Sequence, residues 1–257
     1  MAEPGGRVFF VHVMKTGGST INWHVRSSLG PGEAYPDREL DRLVVDGRLN
    51  QADNLSVANM LALPPDRRRR IRLYSGHYPY AAVEQLGEDV ATLAILREPV
   101  ARTISLLRAH GRPGAWGPNP TKVFPMGSWP LERLYEDPSV YEPLVHDHQT
   151  KVFAMTPADG CDTFSDVISV DEGRLELAKE NVRALDVLGV TERWDDLVAD
   201  VGSRFGWHVP VASRVNVGGT DDDRVASPSL LRRIAEDNAF DVELHRYATE
   251  LVDSRHR

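Results

Sequence analysis

The stretch from Arg7 to Leu29 constrains the chain more than any other. It reads Arg-Val-Phe-Phe-Val-His-Val-Met-Lys-Thr-Gly-Gly-Ser-Thr-Ile-Asn-Trp-His-Val-Arg-Ser-Ser-Leu. Val8 to Val13 is a short apolar run rich in β-branched and aromatic residues, which predicts a buried strand. Lys15, Thr16, Gly17 and Gly18 make a small turn. Ser19 and Thr20 then open a helix whose apolar positions, Ile21, Val25 and Leu29, recur every fourth residue. A strand, a Gly-bearing turn with a lysine and a hydroxyl-rich helix start together form an anion cradle. Backbone N–H groups at a helix N-terminus face the ligand, and the helix dipole favours negative charge there. Glycine lets a phosphate approach the backbone. The segment therefore reads as a phosphate-binding loop, against the plainer reading of a βα turn with a solvated lysine.

The loop is neither of the two common nucleotide motifs. In the nucleoside-triphosphate loop the lysine follows the last glycine. Here Lys15 precedes both glycines, and the dinucleotide pattern Gly-x-Gly-x-x-Gly is absent. The segment His12-Val13-Met14-Lys15-Thr16-Gly17-Gly18-Ser19-Thr20 resembles the 5′-phosphosulfate loop of sulfotransferases that use 3′-phosphoadenosine 5′-phosphosulfate (PAPS). The likeness is nearest to the carbohydrate-type branch, which has Lys-Thr-Gly and small hydroxyl residues after a strand.

Composition bounds the rest. A chain of 257 residues, 41% of them hydrophobic, can bury a full core as one α/β domain, here taken as 1–257. A formal net charge of -8 argues against a global nucleic-acid binder, so an anionic ligand needs a local positive patch. The single cysteine, Cys161, leaves no internal disulfide and no Cys-based zinc site. The first residues lack the basic and apolar regions of a secretory signal. No apolar run approaches the ~20 residues of a membrane span. The expectation is a cytoplasmic protein without a transmembrane segment.

Residues 30–53 are polar and punctuated by Pro31, Gly32, Pro36 and Gly47, a loop with a short helix around 38–45. Leu55 to Leu63 predicts a helix ended by Pro64 and Pro65. Arg67-Arg68-Arg69-Arg70, with Arg72, reads as a solvated face or as an attractor of anions. Ile71 to Ser75 predicts the second strand, running into Gly76-His77. A strand's carboxyl end is where open parallel sheets place ligands. In carbohydrate-type sulfotransferases a Gly-His at this point often carries the base for the acceptor hydroxyl. The resemblance thus implies His77 as that base, against a histidine that merely packs the turn. His12, His24, His110, His146 and His148 are the competing imidazoles, and His12, on a buried strand, reads as structural.

Asp89 to Leu96 is the clearest central strand, and Pro99 suits the first turn of the helix after it, with Val100, Ile104 and Leu107 as inner face. Arg97-Glu98-Pro99-Val100-Ala101-Arg102-Thr103-Ile104-Ser105 resembles the sulfotransferase stretch Arg-Asp-Pro-hydrophobic-x-Arg. In that family an arginine at a strand's end and a serine eight positions on bind the 3′-phosphate. The resemblance implies Arg97 and Ser105 in that role, a guanidinium being suited to bidentate phosphate contact. Arg102 reads instead as a surface or ion-pairing residue.

Residues 111–130, with Pro113, Pro118, Pro120 and Pro125 before Pro130 and with Trp116 and Trp129, read as a lid or acceptor-binding loop, or as a surface insertion. Leu131 to Glu136 and Val140 to Met155 predict helices. The latter contains Gln149-Thr150-Lys151, similar to a Gln-Thr-Arg stretch found near the acceptor site in the same family. His146 and His148 do not share a helical face, so a metal is not expected. Ser169 to Ala184 predicts a helix and Val187 to Val190 a strand. Val187-Leu188-Gly189-Val190-Thr191-Glu192-Arg193-Trp194-Asp195 resembles a third family segment, an architectural one. Arg214, in Ser213-Arg214-Val215-Asn216-Val217-Gly218-Gly219, matches a basic loop that closes on the 3′-phosphate. Helices are expected from Ser227 to Arg255.

The resemblance implies a P-loop-like three-layer α/β sulfotransferase fold, a central parallel sheet flanked by helices. It also implies transfer of a sulfuryl group from PAPS to a hydroxylated acceptor (sugar, lipid-linked or small molecule), leaving adenosine 3′,5′-bisphosphate, without a metal. Lys15 and His77 would act in catalysis. Lys15, Thr16, Gly17, Gly18, Ser19, Thr20, Arg97, Ser105 and Arg214 would bind the nucleotide. The alternatives are a phosphate-loop kinase or NTP hydrolase, and a nucleotide-binding protein without chemistry.

Overall fold

The computed structural model describes residues 6–37, 44–45, 48–49, 56–110, 129–212 and 224–257. Strands β1 (Val8–Val11), β2 (Ala34–Tyr35), β5 (Leu73–Gly76), β6 (Ala91–Leu96) and β7 (Val187–Val190) form one all-parallel sheet in the order β2-β5-β1-β6-β7. Val11 pairs with Gly76 on one side and Ala94 on the other, and Leu96 pairs with Val190. Strands β3 (Val44–Val45) and β4 (Arg48–Leu49) make a separate antiparallel pair. The helix expected around 38–45 is corrected at its end, where Val44–Val45 is strand; the rest of it lies outside the described residues.

Both faces of the sheet are apolar, as a parallel sheet with helices on each side requires. On one face Val8, Phe10, Leu93 and Ile95 pack with Ile21 and Val25 of α1 (Gly18–Ser27) and with Leu197 and Val201 of α10 (Trp194–Phe205). On the other, Phe9, Val11, Tyr74, Ala94 and Leu96 pack with α4 (Ala81–Leu86), α8 (His148–Ala154), α9 (Glu172–Ala184) and α12 (Ala239–Arg255). A third apolar cluster joins α5 (Pro99–His110), α6 (Leu131–Tyr135), α7 (Pro138–Val140) and α11 (Pro228–Asp237) to Met14 of the loop after β1. The α/β class and the flanked parallel sheet are as expected. No described helix is long and apolar enough to cross a membrane.

Three local readings are sharpened or changed. The arginine run forms a helix, α3 (Pro65–Arg70), with Arg69 and Arg70 exposed as a solvated face has them, while Arg67 and Arg70 also brace the neighbouring turn. Arg67 donates to the carbonyls of Gly32 (2.5 Å) and Ala34 (3.0 Å), and Arg70 to that of Pro31. These bonds hold the short edge strand β2 in place. The helix expected over 140–155 is broken: Tyr141–Val145 is a π turn, closed by His146 N donating to Tyr141 O, and Asp147 takes φ 44°. Pro143 has no N–H to continue an α ladder. Arg102, expected at the surface or in an ion pair, is fully buried, because it shares the inner side of α5 with Leu106, one turn on.

The break sets up a reciprocal capping of two helices. Asp241 accepts from Gln149 N (3.1 Å), Thr150 N (2.7 Å) and Thr150 Oγ1 (2.8 Å) at the start of α8. Asp147 accepts from Asp241 N (2.9 Å), and its own N–H donates to Asn238 Oδ1 at the start of α12. Burial, with the Asp241 carboxylate beside it, pushes the Asp147 carboxyl well above the usual carboxylate range. The folded state thus favours a protonated Asp147, and its ionisation opposes folding as pH rises from about 4 toward neutrality. Asp147→Asn keeps the Oδ1 acceptor and removes the charge. Urea denaturation between pH 4 and 8 should show the variant more stable than the parent above pH 7 and matching it near pH 4.

Candidate active site

Four strand ends carry the candidate residues side by side. His77 follows β5, His12 to Lys15 follow β1, Arg97 follows β6 and Thr191 follows β7. The chain leaves β1 toward the β5 side of the sheet and leaves β6 toward β7. The crevice between β1 and β6 is therefore the topological switch point, where open α/β sheets bind ligands. Lys15 and Arg97 meet there, Arg97 Nη1 donating to Lys15 O at 3.1 Å.

The loop's backbone is wound to present amides. Lys15 has φ 68° and Gly17 φ 88°, both left-handed, and such turns make concave N–H nests for anions. A peptide is planar and trans, so fixing its carbonyl fixes the next N–H in the opposite direction. Arg97 takes the Lys15 carbonyl, and Thr191 Oγ1 lies 2.7 Å from Thr16 O and 3.1 Å from Leu96 O. The amides of Thr16 and Gly17 are thereby aimed away from these two braces. Helix α1 starts at Gly18 with no side-chain cap and no acidic residue in its first turn, so among the described residues its leading amides carry no built-in anion. Thr16 is fully buried and its hydroxyl donates to Val13 O, which makes it a brace of the turn; Ser19 is half-buried and Thr20 buried.

Gly17 and Gly18 serve different purposes. At Gly17 the left-handed φ is the constraint, with the Trp194 ring 3.2 Å from where a Cβ would sit. At Gly18 a Cβ would lie 2.4 Å from His12 Cδ2 and 2.8 Å from Phe10 Cζ. His12 is stacked on Phe10 (centroids 5.1 Å apart, 16°) and lies against the His77 ring, tilted at 4.6 Å. It is a packing residue, as expected, and its carbonyl does more. That carbonyl lies 2.5 Å from His77 Nδ1, which places the proton on Nδ1 and leaves Nε2 with its lone pair. Burial, with the nearby Lys15 charge, lowers the His77 pKa despite the opposing bond to His12 O. His12 and His148 are also pushed down, first by burial.

Carboxylates near the crevice are turned elsewhere. Glu98 caps its own helix through Val100 N and Ala101 N, and Glu192 accepts from Glu98 N and faces His245. The crevice therefore combines Lys15, Arg97 and neutral imidazoles, a local positive patch in an acidic chain. Gln149 holds Arg97 in place by clasping its peptide, Oε1 accepting from Arg97 N (3.0 Å) and Nε2 donating to Arg97 O (2.9 Å). Ser105 sits two turns along α5, half-buried, with no hydrogen bond to Arg97 among the described residues. Arg214 and residues 111–128 of the expected acceptor loop lie outside the described residues. Trp129, at that loop's end, stacks with the Arg133 guanidinium at 3.7 Å.

Sequence reasoning missed Thr191 and Gln149 as supports of the loop, although each lies in a segment singled out above. His146 and His148 turn to separate partners, the Tyr141 ring and the Pro143 carbonyl. No family model matches the chain, and no curated protein matches it. Gly18→Ala tests the loop's packing: with two stacked rings unable to retreat, equilibrium unfolding should show a loss of about 1–3 kcal/mol.

Proposed function

We propose that the chain is a PAPS-dependent sulfotransferase acting on a hydroxylated small-molecule, glycan or lipid-linked acceptor. The observation that supports this most is the meeting of three groups at adjacent strand ends: the Lys15 loop, Arg97 braced against it, and His77 with a free Nε2. The residues present fit the donor. The amides of Gly17, Gly18 and Ser19 suit a 5′-phosphosulfate, and a glycine pair leaves room for it to approach. The donor would supply the sulfuryl group and a bisphosphate leaving group.

In this reading the proton of the acceptor hydroxyl passes to His77 Nε2 as the oxygen attacks sulfur. The electron pair of the breaking sulfur–oxygen bond stays on the bridging phosphate oxygen. Lys15 and the α1 N-terminus stabilise the charge that grows there, an effect typically worth about 10²–10³-fold in rate. His77 as general base adds roughly 10²–10⁴-fold. His12 O holds the ring in the required tautomer. Positioning supplies much of the remaining acceleration, as in phosphoryl transfer. Arg97 has two parts in this scheme, bracing the loop and reading the 3′-phosphate with Ser105.

Calorimetric titration with adenosine 3′,5′-bisphosphate, without magnesium, should show saturable binding. Binding of Mg-ATP alone would favour a phosphate-loop kinase or NTP hydrolase; binding of the bisphosphate without turnover would favour a nucleotide-binding protein. Lys15→Ala should abolish sulfate transfer while keeping bisphosphate binding. Arg97→Ala should weaken the bisphosphate more than adenosine 5′-phosphosulfate; equal losses would leave Arg97 as a loop brace only. Activity requires neutral His77, so kcat/KM should fall only as pH drops below the ordinary imidazole value of about 6.5. His77→Asn should erase that acid limb along with most of the rate.

A further inference from the structure

The π turn 141–145 ends in a run of main-chain carbonyls, and three buried basic side chains take them in order. Lys151 Nζ donates to Glu142 O at 2.8 Å and His148 Nδ1 to Pro143 O at 3.1 Å. Arg102 Nη2 reaches both Leu144 O (3.0 Å) and Val145 O (3.2 Å). Because they fasten to consecutive carbonyls, Arg102 and His148 lie beside one another. Each has polar atoms left over: Arg102 Nε and Nη1 and His148 Nε2 are buried with no hydrogen-bond partner among the described residues. Arg102 is 0% and His148 1% exposed.

Orphaned atoms of this kind need an explanation. A buried guanidinium is normally paired with a carboxylate. No such pair involves Arg102 among the described residues. The acidic group whose charge it feels is Asp241, whose oxygens are already taken by the α8 amides. An enclosed water would satisfy one donor, whereas a carboxylate satisfies two and sets a full negative charge against the guanidinium. His148 supplies the opposite polarity: with its proton on Nδ1 toward Pro143 O, Nε2 is an acceptor. Two positive donors therefore stand next to one lone pair.

We propose that Arg102 and His148 form a subsite for a carboxylate bearing a hydroxyl on the adjacent carbon. The carboxylate pairs with the open nitrogens of Arg102, and the hydroxyl donates to His148 Nε2. The subsite adjoins the candidate base. The half-buried Phe164 ring stands perpendicular to His148 at 6.1 Å and tilted to His77 at 5.1 Å, so the two places share that ring as a common wall. If the sulfotransferase reading holds, this ligand is part of the acceptor; the subsite itself does not depend on that reading.

The test titrates the whole chain with glycolate, acetate and chloride at constant ionic strength, following thermal stability and calorimetric heat. Glycolate should bind about fivefold or more tightly than acetate, for one added hydrogen bond, and chloride should not compete. Arg102→Lys keeps a donor for the π-turn carbonyls and loses the open nitrogens; it should weaken both carboxylates about tenfold or more. His148→Asn keeps a donor for Pro143 O and lacks Nε2, so the glycolate-to-acetate ratio should collapse to about one with acetate unchanged. Lys15→Ala should leave both affinities intact, whereas their loss would place the anions in the phosphate loop and overturn the assignment. Absence of carboxylate-specific binding in the parent would also overturn it. So would binding indifferent to Arg102→Lys, or a ratio that survives His148→Asn. Should Arg102→Lys fail to fold, the parent titration and His148→Asn decide alone. A separate titration with adenosine 3′,5′-bisphosphate reports on the donor reading, so the two can fail independently.

Discussion

Two hydrogen bonds to main-chain carbonyls hold the arrangement at the sheet's carboxyl edge. A loop with left-handed residues at Lys15 and Gly17 is not a conformation the chain adopts for its own sake. Strain at a non-glycine residue of this kind costs of order 1–3 kcal/mol and persists only where the surroundings impose it. Arg97 from β6 and Thr191 from the end of β7 impose it, each from a strand on the same side of β1. Sheet register thus becomes amide direction. The parallel alignment of three strands sets where two carbonyls point, and the carbonyls set where the next N–H groups point.

The second constraint is burial of basic groups. Lys15, Arg97, Arg102 and Lys151 crowd one end of a sheet in a chain whose net charge is negative. The histidines among them respond by staying neutral, since burial and neighbouring positive charge both disfavour a second proton. Main-chain carbonyls take the hydrogen bonds that water would otherwise make: His12 O serves His77, and the π-turn carbonyls serve His148, Arg102 Nη2 and Lys151. A carbonyl dipole orients an imidazole without protonating it.

Much of this was legible in the residues. The four long strands and the helix after Gly17 follow from apolar runs and turn residues, and so do the strand-end positions of Lys15, His77 and Arg97. What was not legible depends on three-dimensional closure. Thr191 is an ordinary strand-end threonine until β7 is placed two strands from β1. Gln149 sits on a helix that the pattern runs straight through 140–155, whereas Pro143 and the exchange of caps with Asp241 break it. Arg102 carries a charge that pattern reading assigns to the surface, and only the packing of α5 against the π turn buries it. The two-residue strand β2 has too short a pattern to be read at all, and long-range arginine bonds hold it.

The exchange of caps between α8 and α12 has a consequence in time. Gln149 can clasp Arg97 only when α8 has its first turn secured, and the carboxylate securing it belongs to Asp241. During synthesis the first hundred residues can pair their strands while the ribosome is still at work. The crevice that they frame stays unfinished until the C-terminal helices emerge and dock. A nascent chain stalled before that point would hold most of its sheet without the Gln149 clasp on Arg97.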